Sequence, residues 1–239
     1  MRWAFAPLLA AAAVAAAVVP VAAVPAAAAN LSVPAHPRFA SSAPYGTWRT
    51  GALVLDNDAW TPAAGPQTIW ADAPGDWGIE STQPAGNRVV MSYPNVAENF
   101  SDVPVSTFSI IRTGYAESMP AGPGLDAEAA DDVWLNGRQI EVMIWVDNHR
   151  QHPAGAIIGH ATILGQEFSV WHRGRIWTFL LNHHQAVGQT HILGALRWLI
   201  SRRDIPASAT LAQIAFGWEI VSTGGAPGDF TMTGYWLTS

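Results

Sequence analysis

The 239-residue chain contains no cysteine and no lysine, and only 13% of its residues carry charge. Without cysteine there are no disulfide staples and no lipid-bearing Cys, so the fold must be held by its core alone. A domain near 200 residues buries enough surface to manage that. Without lysine, every basic residue is Arg, and the only dense cluster is Arg202-Arg203. A formal net charge of -6 with no basic patch excludes nucleic acid as a partner, because a polyanion binder releases counterions through clustered cations. Long hydrophobic runs are also scarce. The one long run lies at 5–24, behind Arg2 and ahead of the small residues Ala26 to Ala29. That order is expected of a secretory signal peptide spanning 1–29, cleaved before Asn30. Pro20 and Pro25 interrupt the run, which argues against a retained membrane anchor. A secreted chain, free of the membrane after cleavage, is the expectation.

What remains is rich in Trp (12), Gly (21) and Pro (17), with 49% hydrophobic residues. Residues 30–42 read as a linker or flexible arm, and 43–239 as one catalytic domain without repeats. Short apolar runs separated by turn residues mark candidate strands at 50–55, 67–70, 88–93, 107–113, 139–146, 168–172, 175–181, 211–221 and 230–237. One helix is expected at 190–203, where Ile192, Leu193, Leu196, Leu199 and Ile200 recur at helical spacing and Thr190 can cap the start. An all-β sandwich with one packed helix follows.

Two of these strands each carry a glutamate. Side chains alternate faces along a strand. In 139–147, Ile140, Val142, Ile144 and Val146 form an apolar face, and Gln139, Glu141, Met143, Trp145 and Asp147 share the other. In 211–220, Ile214, Phe216, Trp218 and Ile220 oppose Gln213, Ala215, Gly217 and Glu219. A Glu beside Met and Trp suits a partly desolvated cleft, and the small residues ahead of Glu219 leave room for a ligand. Two carboxylates on one cleft are what glycoside hydrolysis uses: one attacks the anomeric carbon and the other protonates the leaving oxygen. By pattern alone, a Glu on a half-buried strand is more often an ion-pair partner or an outward-facing residue.

Glu141-Val142-Met143-Ile144-Trp145 resembles the nucleophile segment of glycoside hydrolase family 12, the small secreted endoglucanases (cellulases). Gly217-Trp218-Glu219 ahead of Gly224-Gly225 is similar to that family's acid/base segment. Asn57-Asp58-Ala59-Trp60 with Gln67, Ser92-Tyr93-Pro94-Asn95, Ala130 to Leu135, and Pro153-Ala154-Gly155 match further motifs in order. The resemblance runs from about Asp56 to Phe230. It departs at Asp58, Ala59 and Asp131, and at the unusual stretches His149 to His152 and Asn182 to Gln185.

The resemblance implies a β-jelly-roll (concanavalin-like) sandwich of two antiparallel sheets, with a cleft on the concave sheet and the helix on the convex side. It implies a retaining endo-acting hydrolase of β-1,4-glucan, with xyloglucan a close variant and no cofactor. Glu141 would be nucleophile, Glu219 general acid/base, and Asp132 the carboxylate that holds Glu141. Asn57, Trp60, Met143, Trp145 and Pro153 would bind the β-glucan substrate, with Trp77 a further candidate, and the enzyme would act as a monomer. Pyranose faces stack on indole, which fits Trp60.

Other features read more plainly. His183-His184 and the His149/His152 pair have no third ligand at a metal-site spacing, so exposed loop histidines and no metal are expected. Gly224 to Gly228 reads as a turn. The acidic stretch of Asp126, Glu128, Asp131 and Asp132 reads as solvated for the most part, and without the resemblance Asp132 itself reads as a surface turn residue. Two rival functions stand beside the hydrolase: a non-catalytic glycan-binding module on the same sandwich, and a xylanase.

Overall fold

The computed structural model describes residues 34–239, so the expected signal segment lies outside the described residues. Alternating apolar and polar residues fold into two sheets. The smaller holds, in spatial order, β1 (Phe39–Ser41), β4 (Gln67–Ala73), β5 (Asp76–Ser81), β15 (Gly228–Met232), β7 (Arg112–Ser118) and β13 (Val187–Thr190), with β16 (Trp236–Thr238) also paired to β7. The larger runs β10 (Ala156–Ile163), β11 (Gln166–Arg173), β12 (Ile176–Leu181), β9 (Ile140–His149), β8 (Leu125–Leu135), β14 (Thr210–Thr223), β6 (Asn95–Pro104), β3 (Leu53–Asp56) and β2 (Thr47–Thr50).

The inner face of this nine-stranded sheet is covered in two halves. Over one half the smaller sheet packs directly: Leu55, Phe216 and Trp218 meet Ile69, Trp77, Ile79 and Phe230 in one buried cluster. The rings of Trp77 and Trp218 lie 4.8 Å apart there. Over the other half, the helix α1 (Ile192–Arg202) buries Ile192, Leu193, Ala195, Leu196 and Leu199 against Val133, Val142, Ile144, Val170 and Phe179. Each such fully buried aliphatic contributes about 1.5–3 kcal/mol. The helix and the smaller sheet thus share one side of the large sheet, leaving its other face open.

The jelly-roll class is as expected, with local differences that have physical causes. The pairing of β12 with β9 is parallel, so the larger sheet is mixed. Residues 39–41 of the expected arm form an edge strand on β4. The expected strand at 88–93 is reduced to a bridge between Ser92 and Ile220, because Pro94 lacks the N–H a ladder needs and pairing resumes at Asn95. The strand expected at 107–113 begins only at Arg112. Thr190 does not cap the helix: it ends β13 opposite Thr113, and the N-cap is His191 without a side-chain bond. The helix closes at Arg203 in the left-handed region, φ 64°.

Candidate active site

β8 supplies the floor of the site. Its inward residues Ala127, Ala129, Val133 and Leu135 enter the core clusters. The alternate set, Glu128, Ala130, Asp132 and Trp134, therefore faces outward on the open side. Register then fixes the neighbours. Trp134 stands opposite Glu141 of β9 and Gln213 of β14; Asp132 stands opposite Met143 and Ala215; Glu128 stands opposite Glu219 and Asn148. β8 thus separates the two glutamate-bearing strands and places a carboxyl beside each.

Glu219 lies six positions along β14 from Gln213, the residue in Glu141's row. A flat sheet would set them ~20 Å apart along the strand. Both nevertheless line one open cavity of about 680 Å³, together with Asp132, Trp134, Trp60, Tyr45, Asp56, Asp58, Tyr93, Asn95, Arg138 and Gln213. The two glutamates are near enough for the charge of Glu141 to act on Glu219. The floor between them is thin. Ala215 contributes one methyl, and Gly217 contributes none because the Pro94 carbonyl presses where its Cβ would stand.

Burial sets the electrostatics. Glu141 is raised to about 7 by desolvation. Glu219 is also raised to about 7, first by burial and then by the charge of Glu141, with a hydrogen bond from Glu128 working the other way. Asp132 is driven well above the usual carboxylate range by burial, then by Glu141 and Glu219, against a hydrogen bond from Trp134 and the charge of Arg138. Several carboxyls crowd one cleft, so they cannot all ionise near neutral pH. Asp58, at φ 36°, is raised to about 6 by burial and by Asp56. Such a set can offer an anion on one side of a scissile bond and a proton on the other.

Of the residues singled out from sequence, Glu141, Glu219, Asp132 and Trp60 line the cavity. The others do not. Asn57 is completely buried. Its amide donates to the carbonyls of Ala43 (2.9 Å) and Gln67, and its Oδ1 accepts from Gln67 Nε2 at 3.0 Å, so none of it is left for a sugar hydroxyl. Met143 and Trp145 face outward but form a buried apolar cluster with Ala130, flanked by Ile176 and Leu180, outside the cavity lining. Pro153 is buried in the loop after β9. Trp77 sits in the core. Asp147 does not share Glu141's face. A bulge opposite Ala129/Ala130 admits Val146 as an extra residue, which turns Asp147 toward the inward position of Ala129. There it meets Glu117 and lies 2.6 Å from His184 Nδ1.

The acidic stretch expected to be solvated is largely buried, with Glu128 and Asp131 fully so and Asp132 nearly so, and sequence reading gave no role to Glu128 or to the cavity residues Tyr45, Asp56 and Arg138. Glu128, Ala130, Asp132 and Trp134 share one face of β8, a parity that becomes readable only once 125–135 is known to be a strand. Asp131 faces inward, accepting from Thr113 Oγ1 at 2.8 and 2.9 Å. Among the described residues, no group of three or more His, Cys, Asp or Glu is arranged to hold a metal. No helix among them is long and apolar enough to cross a membrane.

No family model matches the chain, and no curated protein matches its sequence. Solved structures do match. The xyloglucanase domain of NopAA, a type three effector from Sinorhizobium fredii solved with cellobiose, is 23% identical, with a TM-score of 0.77 over 85% of this chain and 100% of its own. Endoglucanase 3 of family GH12 from Trichoderma harzianum is 20% identical, with a TM-score of 0.76 over 87% and 99%. The native family 12 xyloglucanase from Bacillus licheniformis is 19% identical, with a TM-score of 0.74 over 84% and 99%. At such identities the likeness establishes a shared fold, extending over the full length of those domains.

Proposed function

We propose that this chain is a secreted family 12 glycoside hydrolase, a retaining endo-acting enzyme on β-1,4-glucan or xyloglucan. The observation that carries the reading is the placement of Glu141 and Glu219 in one cleft, on strands either side of the Asp132 strand. The ordered sequence motifs and the family 12 neighbours, among them xyloglucanases and one cellobiose complex, support it.

In this reading a glucan chain lies along the open face, with one ring stacked on Trp60, which is 38% exposed. Glu141 attacks the anomeric carbon as Glu219 passes its proton to the departing oxygen. Water, deprotonated by Glu219, then displaces Glu141 and restores the configuration. Asp132, adjacent to both, is the group that holds Glu141 in line. The charge of Glu141 helps keep Glu219 protonated for the first step, and its loss on esterification eases Glu219's ionisation for the second.

Purified chain from Asn30 should release reducing ends from soluble xyloglucan, carboxymethylcellulose or mixed-linkage glucan. Glu141→Gln should lose roughly a thousandfold or more, the contribution of a covalent nucleophile. Glycan binding without hydrolysis, unaffected by Glu141→Gln and Glu219→Gln, would identify a binding module instead.

A further inference from the structure

Glu128 has no place in the two-carboxylate scheme, yet it is the most enclosed acidic side chain beside the cleft. Its exposure is 0%. Neither carboxyl oxygen finds a donor. The group it meets is Glu219, its direct cross-strand partner. The charges acting on it are Glu219 from β14, Asp132 from its own strand and Glu141 from β9, all negative. Tyr93, from the segment before β6, also faces it but spends its hydroxyl on the Ala130 carbonyl at 3.2 Å. Asn148, opposite on β9, donates to the Gln151 carbonyl at 2.8 Å, and Gln151 Nε2 donates to the Glu219 carbonyl at 2.9 Å. An ionised Glu128 would be a buried anion without a donor among three other acids, a strongly disfavoured state. A neutral Glu128 has one O–H to place, and Glu219 is the acceptor within reach.

We propose that Glu128 is a positioning residue, a neutral carboxylic acid whose O–H donates to Glu219 and supports Glu219 as a carboxylate when it must act as base. The inference rests on the glycosidase reading for its consequence. In the second step, water gives its proton to Glu219 and its oxygen to the anomeric carbon, and the ester bond to Glu141 breaks. The base must be ionised beforehand, inside a site whose burial favours its protonated form. The Glu128 donor offsets that burial, and it orients the accepting oxygen away from the water.

Glu128→Gln and Glu128→Leu, assayed for kcat and kcat/KM across pH on soluble xyloglucan, test this. Gln retains a neutral N–H donor, so its alkaline limb should stay at the wild-type position. Leu lacks the donor, so its alkaline limb should move up by about one to two pH units, with a lower kcat, as expected for a lost hydrogen bond to a charged group. An alkaline limb that moves down in Glu128→Gln would mean that a charge had been removed, and would overturn the proposal. So would a limb unmoved in Glu128→Leu. Titration of carboxyl-labelled glutamate by carbon NMR gives the same test without catalysis, should the chain hydrolyse none of the polymers. Glu128, assigned by its loss in Glu128→Gln, should ionise well above the ordinary carboxylate range, and its ionisation at the ordinary value near 4.3 would refute the neutral acid.

Discussion

Glu117 on β7 offers a test of the buried-carboxyl electrostatics away from the cleft. It is 5% exposed, and its Oε2 accepts from Trp218 Nε1 at 3.0 Å while Oε1 has no donor. Burial pushes it up to about 8; the Trp218 N–H pulls the other way, and the charge and hydrogen bond of Asp147 add to the rise. In the unfolded chain a Glu ionises near 4.3. Between those values the folded state keeps a proton that the unfolded state has released, so stability is highest at the acid end and falls as pH rises toward 8. One pH unit corresponds to about 1.4 kcal/mol, so the effect of Glu117 between pH 5 and 7.5 is on the order of 1–3 kcal/mol. Glu117→Gln keeps an acceptor for Trp218 and removes the ionisation. Urea unfolding followed by tryptophan fluorescence at several pH values should show wild type losing stability with rising pH and the variant following a flatter line. At pH 7.5 the variant should be the more stable, with Tm higher by roughly 2–4 °C per kcal/mol. Parallel lines, or a variant weaker at every pH, would refute the reasoning.

Other consequences are local. Gly217→Ala drives a methyl into the Pro94 carbonyl and within 2.8 Å of Asn95 Cα, so it should destabilise by about 1–3 kcal/mol and lower Tm in a thermal melt. Trp60→Ala removes an exposed cleft indole without touching the core, so KM for xyloglucan should rise several-fold with Tm nearly unchanged. Asn57→Ala leaves buried carbonyl and amide groups without partners and should cost about 1–3 kcal/mol of stability, read by urea denaturation.

Strands with one apolar face and one mixed face were legible in the sequence. β9 and β14 carry bulky residues at alternate positions, so both the sandwich and the direction of Glu141 and Glu219 follow from parity. β8 was not legible as a strand, because its inward side is partly alanine and Asp131, and its outward side holds two more acids. Only packing shows that these acids are buried. The bulge that turns Asp147 inward leaves no mark in a period-two pattern. Asn57 was misread because its sugar-binding role was carried over from the family resemblance, not from its own surroundings. Its partners, the carbonyls of Ala43 and Gln67, are backbone groups that sequence does not advertise.

The central claim is that Glu141 attacks the sugar. Incubating the chain with an activated 2-deoxy-2-fluoro cello-oligosaccharide and mapping the adduct by peptide mass spectrometry tests it most directly. A covalent glycosyl group on Glu141, absent from Glu141→Gln and formed slowly in Glu219→Gln, is the expected result. Inactivation with the label on Glu219, Asp132 or Glu128, or hydrolysis with inversion and no adduct, would contradict it.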